Sequence, residues 1–175
     1  STFTADISVN NVTVGKGANS VANNTALGLG ALDASVTGDN NTALGRDALT
    51  SNTSGHSNTA VGKDSLDQNT TGHSNTAVGK GVMAANTTGH SNVAVGQAAL
   101  DANTEGFNNV AVGEDALGAN TTADYNTGVG RLALASVTTQ GALTALGASA
   151  LTANTTGAYI TAVGYNALAA NTTAD

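Results

Sequence analysis

Apolar residues fall along this chain at a fixed interval of 17 residues. A Val or Leu stands immediately before a glycine at Leu27, Leu44, Val61, Val78, Val95, Val112, Val129, Leu146 and Val163. Two positions earlier stands Thr, replaced by Val at Val93 and Val110. Between them lies a small residue: Ala26, Ala43, Ala60, Ala77, Ala94, Ala111, Gly128, Ala145 and Ala162. This alternation predicts one short strand per repeat, such as Thr76-Ala77-Val78-Gly79, with Thr76 and Val78 on one face and Ala77 on the other. The Val/Leu face is expected to line the inside of the repeat. The Ala/Gly face, small in every repeat, is expected to receive something packed very close to it.

A second apolar element follows each glycine by four residues, at Leu32, Leu49, Leu66, Met83, Leu100, Leu117, Leu134, Leu151 and Leu168. Ala precedes it except at Ser65 and Val82. These side chains are expected to stack as an internal ladder opposite the Val/Leu positions. Phrases such as Asn86-Thr87-Thr88-Gly89 read as corners, with Asn and Gly supplying left-handed backbone and the side chains bonding nearby backbone. One turn of helix over Asp115-Ala116-Leu117-Gly118-Ala119-Asn120 is compatible with Ala and Leu, but no full helix fits between strand and corners. Asn41, Asn58, Asn75, Asn92, Asn109 and Asn126 also recur in register, then give way to Leu143 and Ile160. Stacked amides bond to one another along an axis, so this column reads as architecture rather than a ligand site.

A short constant period of this kind predicts a solenoid, in which each coil buries its apolar face only against its neighbours. The expected fold class is all-β: a parallel β-solenoid, or β-roll, of 17-residue coils. Residues 1–14 read as an N-terminal cap or connecting segment and residues 15–175 as the solenoid. Ala5-Asp6-Ile7-Ser8-Val9 alternates as a lone strand. Val12-Thr13-Val14-Gly15 echoes the strand phrase, but the step from Gly15 to Gly28 is four residues shorter than the rest. The absence of an initiator Met, and a stop within a repeat at Asp175, lead us to expect a piece of a longer chain.

Composition narrows the classes. Apolar residues make up 40% but aromatics only 3%, so Ala, Val and Leu must form a thin core. The formal charge is −7, and five scattered Lys and Arg cannot build a phosphate-binding surface, so no nucleic-acid partner is expected. No apolar run approaches the roughly 20 residues that span a bilayer, and no signal peptide is visible. Cys is absent, which removes disulfides and thiolate metal sites. Pro is also absent, so no coil gives up a backbone donor.

Candidate chemistry is sparse. No nucleophile–His–acid set, phosphate-binding glycine loop or calcium β-roll repeat occurs, and no catalytic, cofactor-binding or metal residue is assigned. His56, His73 and His90 share one register in consecutive Gly-His-Ser-Asn phrases. Stacked imidazoles can take a transition metal. The same register holds Asp39, Phe107, Asp124 and Ala158, however, which favours an exposed and variable position. Asp33, Asp67 and Asp101 read as a solvated face. The Asn-x-Thr/Ser triplets are by-products of the corner phrase rather than glycosylation signals.

The Asn-Thr-Ala-Val-Gly strand followed by Ala-Leu and Asn-Thr-Thr-Gly resembles repeats of bacteriophage tail fibres and related fibre proteins. The opening Asp6-Ile7-Ser8-Val9-Asn10-Asn11-Val12-Thr13-Val14-Gly15-Lys16-Gly17 looks like the segment that often precedes them. The short step with Ala18-Asn19-Ser20-Val21-Ala22 is similar to head repeats of trimeric autotransporter adhesins, which are left-handed parallel β-rolls packed three around an axis. The resemblance implies a non-catalytic fibre segment on a virion or a bacterial surface that supports host attachment. It also implies a parallel homotrimer, which we expect to close through the Ala/Gly stripe. A host-surface glycan or protein would be met through repetitive polar edges. The alternative is an ice-binding solenoid that uses Thr ladders such as Thr53, Thr70, Thr87, Thr104 and Thr121. A solenoid enzyme such as a polysaccharide lyase or an acyltransferase would need paired catalytic carboxylates or a His in a cleft, and the regular coils lack the inserted loops that usually build one.

Overall fold

The computed structural model describes residues 7–10, 12–34 and 36–173. The opening of the expected lone strand, Ala5-Asp6, lies outside them. Strands β3 (Thr25–Gly28), β4 (Thr42–Leu44), β5 (Thr59–Val61), β6 (Thr76–Val78), β7 (Val93–Val95), β8 (Val110–Val112), β9 (Thr127–Val129), β10 (Thr144–Leu146) and β11 (Thr161–Val163) are each one coil apart. They pair in parallel with like residues opposite one another, as in Thr59 with Thr76 and Ala60 with Ala77. The chain is therefore a parallel β-solenoid with the expected 17-residue coil.

Axial hydrogen bonds run along the other sides of the coil as well. Leu66 N–H donates to Val82 O at 3.0 Å on the leucine side, and Thr70 N–H to Thr87 O at 3.0 Å on the corner side. This distribution satisfies the backbone donors that a thin rod would otherwise leave exposed.

The N-terminal end is built differently from the phrase it echoes. β1 (Ile7–Val9) and β2 (Val12–Gly15) form an antiparallel hairpin, and β2 pairs antiparallel with β3, Val14 opposite Leu27. A single 3-10 turn over Ala18–Ser20 links β2 to β3. The shorter step leaves too little chain for a full coil, so the strand returns in the opposite sense and closes the end of the parallel ladder.

The interior reverses the expected strand faces. Ala43, Ala60, Ala77, Ala94, Ala111 and Ala145 are 0% exposed, whereas Leu27 is 41%, Leu44 43% and Val95 36% exposed. The Ala/Gly column faces the coil's own leucine ladder. A Cβ placed on Gly128 would lie 3.5 Å from Leu117 Cγ and 3.6 Å from Leu134 Cδ1. The column is small because the leucines from the opposite wall fill the coil, not because another chain approaches. The leucine ladder is inside as expected from Leu32 through Met83 to Leu151, each 0% exposed, but Leu168, expected to continue it, is 51% exposed. Ser65, in the column beside it, donates its hydroxyl to Ala77 O at 3.2 Å and so is buried at little cost.

The corners also differ from expectation. Gly89 and Asn86 do not adopt left-handed backbone; that conformation falls at Ser91 (φ 58), Ala98 (φ 52) and Leu100 (φ 55), and at the same registers in neighbouring coils. Gly89 is required for another reason: a Cβ there would meet Gly106 O at 2.6 Å and Asn103 Nδ2 at 2.7 Å.

Candidate functional site

The outer face of the sheet carries a column of partly exposed apolar side chains. Each strand points its first and third residues outward: Thr or Val, then Val or Leu. Val93 is 39%, Leu146 39% and Val163 67% exposed. Val61, Val78, Val112 and Val129, in the middle of the rod, are half-buried. The hairpin continues the stripe, since Val14 (43%) pairs with Leu27 and Ile7 (38%) pairs with Val14. An apolar stripe of this kind therefore runs along the described rod from β1 to β11.

Behind the stripe lie two buried amide ladders. Asn58 donates its backbone N–H (3.0 Å) and Nδ2 (3.2 Å) to Asn41 Oδ1, and Nδ2 also to Gly72 O at 2.8 Å. The arrangement repeats through Asn75, Asn92 and Asn109, as expected of an architectural column. A second ladder, at the corner asparagines, came to light only in the structure: Asn69 Nδ2 donates to Asn52 Oδ1 at 2.8 Å and Asn86 Nδ2 to Asn69 Oδ1 at 2.8 Å. Asn58 and Asn69 both donate to Gly72 O, which ties the ladders together. Every one of these asparagines is buried, so the columns are closed to solvent.

The Thr column considered as an ice-facing array directs its hydroxyls along the axis. Thr53 Oγ1 donates to Thr70 O at 2.9 Å, Thr70 Oγ1 to Thr87 O at 3.1 Å, and Thr87 Oγ1 to Thr104 O at 3.0 Å.

His56, His73 and His90 do share one column, and their rings stack. Centroids are 4.9 Å apart between His56 and His73 and 4.7 Å between His73 and His90, and Phe107 continues the stack at 5.0 Å. Face-to-face stacking keeps the nitrogens from converging on a point. Among the described residues no group of three His, Asp or Glu is arranged to hold a metal ion. Each Nδ1 lies beside the following serine hydroxyl, at 3.4 Å for His73 and Ser74. Burial first, then the charges of His90 and His56, holds the His73 imidazole below its ordinary value.

Asp67 and Asp101 are half-buried rather than on a fully solvated face. Burial raises the Asp67 carboxyl above its usual value, and Asp64 and Asp47 push it the same way. Burial likewise raises Asp101. The ion pairs Arg46–Asp47 and Arg131–Glu114, at 2.8 and 3.2 Å, sit on partly to largely exposed side chains and contribute little to stability.

All three tyrosines are exposed and none was expected as a surface feature; Tyr125, 58% exposed, and Tyr159, 83% exposed, share one register. Their signal was present, since they stand two periods apart in a chain with few aromatics. Among the described residues no helix is long and apolar enough to cross a membrane. Comparison with family models, with curated proteins and with solved structures finds no match.

Proposed function

We propose that this chain is a structural and adhesive segment of a fibre, on a virion or a bacterial surface, built as a parallel homotrimer and without catalytic activity. The observation that carries this reading is the outward Thr/Val–x–Val/Leu stripe. Soluble monomers rarely expose a contiguous apolar patch of more than a few hundred Å², and a larger one marks an interaction surface. Three rods set in parallel around one axis would bring three such stripes together. Because each coil repeats the same outward pair, a modest contact per coil would be multiplied along the shaft. On this reading the assembly closes on the Val/Leu face and not on the Ala/Gly column, which the coil fills by itself.

The test is the mass in solution by light scattering. Three times the 16.9 kDa chain mass supports the fibre; a stable monomer removes its main physical support. Val95→Asp should reduce the assembled mass to that of single chains while leaving the β-sheet circular dichroism intact.

A second reading has one observation in its favour: Thr occupies the first outward position in seven of the nine parallel strands. A flat Thr–x–Val array facing water would suit ice binding. A monomer that inhibits ice growth would replace the fibre reading. A trimer without that activity would exclude it.

A further inference from the structure

Beside the sheet, one coil carries small residues where its neighbours carry large ones. In consecutive coils the paired registers read Phe107-Asn108, Asp124-Tyr125, Gly141-Ala142 and Ala158-Tyr159. Gly141-Ala142 leaves a notch of about 310 Å³ whose lining includes Thr122, Asp124, Tyr125, Thr139, Ala142 and Tyr159. Tyr125 is braced edge-on against Phe107, with centroids 5.3 Å apart and planes at 78°. Asp124 Oδ1 accepts the Phe107 N–H at 2.8 Å, which holds the carboxylate in place. The coil step is close to the 4.7 Å ring spacing of His73 and His90. The two tyrosine backbones are therefore roughly 9–10 Å apart, two strand spacings. That width admits one small ring system and excludes an α-helix, which is about 10–12 Å across with its side chains.

We propose that this notch binds one pyranose residue of a neutral saccharide. A pyranose has a face of C–H groups and a rim of hydroxyls. The tyrosine rings offer apolar faces with polar tips, suited to the C–H face. Thr122, Thr139 and the two phenols both donate and accept, and the Asp124 carboxylate accepts beyond the single bond it makes to Phe107. The only charged side chain in the lining is that carboxylate, so a uronic or sialic acid would be repelled. A quaternary ammonium would satisfy the rings and the carboxylate but leave four hydroxyls without a role, which favours the sugar. The inference adds a ligand class to the fibre reading, yet it stands on the notch alone.

The chain has three tyrosines and no Trp, so intrinsic fluorescence reports on the notch directly. In Tyr165→Phe only Tyr125 and Tyr159 emit. This protein is titrated with methyl glycosides of glucose, galactose, mannose and N-acetylglucosamine, and with tetramethylammonium and methyl glucuronide. At least one neutral glycoside should give a saturable change with half-saturation at about 0.1–10 mM. Tyr159→Ala should weaken it at least tenfold. Ala142→Tyr should abolish it by filling the notch. That substitution suits the backbone, since Ala142 has φ 62 and the register already holds Tyr125 at φ 61 and Tyr159 at φ 58. No saturable response to any neutral glycoside, a response unchanged by Ala142→Tyr, or a response to tetramethylammonium alone would overturn the proposal. Light scattering on the same samples keeps the two questions apart: a trimer that binds none loses only the notch, and a monomer that binds loses only the shaft.

Discussion

At the residue scale the chain shows how a polar core is made tolerable. Along the first ladder, from Asn41 to Asn92, each asparagine is buried, but its carbonyl oxygen and its amide are both occupied by neighbouring coils, so desolvation is offset bond for bond. The second ladder has one break. Val137 stands where an Asn would continue it, and Asn120 Oδ1 is buried without a partner. Val137→Asn should restore the column, because the new amide reaches Asn120 Oδ1 on one side and offers its oxygen to Asn154 on the other. A gain of about 1 kcal/mol is expected, read as a raised midpoint in urea or heat. A loss would mean that the Val side chain contributes more by packing than the amide can by bonding.

The stacked rings give a pH dependence at the same scale. The folded-state imidazole of His73 is held below its ordinary 6.5. The unfolded chain therefore takes up the proton first as the pH falls. The contribution is fully present above 6.5 and is lost as pH drops through the lowered folded-state value. Asp67 and Asp101 act in the opposite sense and nearer 3.8, where their raised values favour the folded state on acidification. Melting should therefore fall between about pH 7.5 and pH 5.5, and fall less in His73→Phe. Phe is accommodated in this register, as Phe107 shows by stacking on His90. An equal fall in the variant would assign the acid sensitivity to other groups.

At the element scale the coil is shaped by three left-handed corners filled largely by residues that disfavour them. An L-residue with a side chain costs roughly 1–2 kcal/mol there, and the leucines tolerate it because their side chains fill the core. Ala98 has φ 52 with no such compensation, while Gly30 (φ 69) and Gly81 (φ 63) occupy the same register. Ala98→Gly should raise stability by about 0.5–1 kcal/mol in chemical denaturation, the strain removed exceeding the added freedom of the unfolded chain. Gly79 is the reverse case. At φ 139, a Cβ there would lie 2.8 Å from Gly96 O, so Gly79→Ala should open the stack at that coil.

At the scale of the whole molecule, inside and outside separate folding from the proposed assembly. Leu100 is 0% exposed, and Leu100→Asp buries an unpaired charge at a cost of several kcal/mol. That substitution should unfold the rod. Val78 belongs to the outer stripe, so Val78→Asp should leave the coil's melting as a single chain nearly unchanged and act on the assembled mass alone. Ala94→Phe, which a trimer closed through the Ala/Gly column would render an assembly defect, should instead break the coil, since Ala94 is 0% exposed against the leucine ladder. Circular dichroism and light scattering on these three variants separate the two surfaces.

The period, the parallel stacking, the leucine ladder and the first asparagine ladder were all legible in the sequence. A residue that returns every 17 positions becomes its own axial neighbour whatever the coil's cross-section. Met83 in the leucine column and the asparagines that follow Asn41 therefore declare their roles by register alone. Which strand face is inside was not legible, because Ala77 and Val78 recur with the same period and alternation assigns them only to opposite sides. The choice depends on how the chain turns at Ser91, Ala98 and Leu100, and neither Ala nor Leu signals left-handed backbone. The direction of β2 was hidden for a similar reason: its phrase matches the parallel strands, and only the short connection to β3 reverses it. Local pattern determined what stacks on what; the cross-section, set by corners and by leucines reaching across the coil, decided what faces the world.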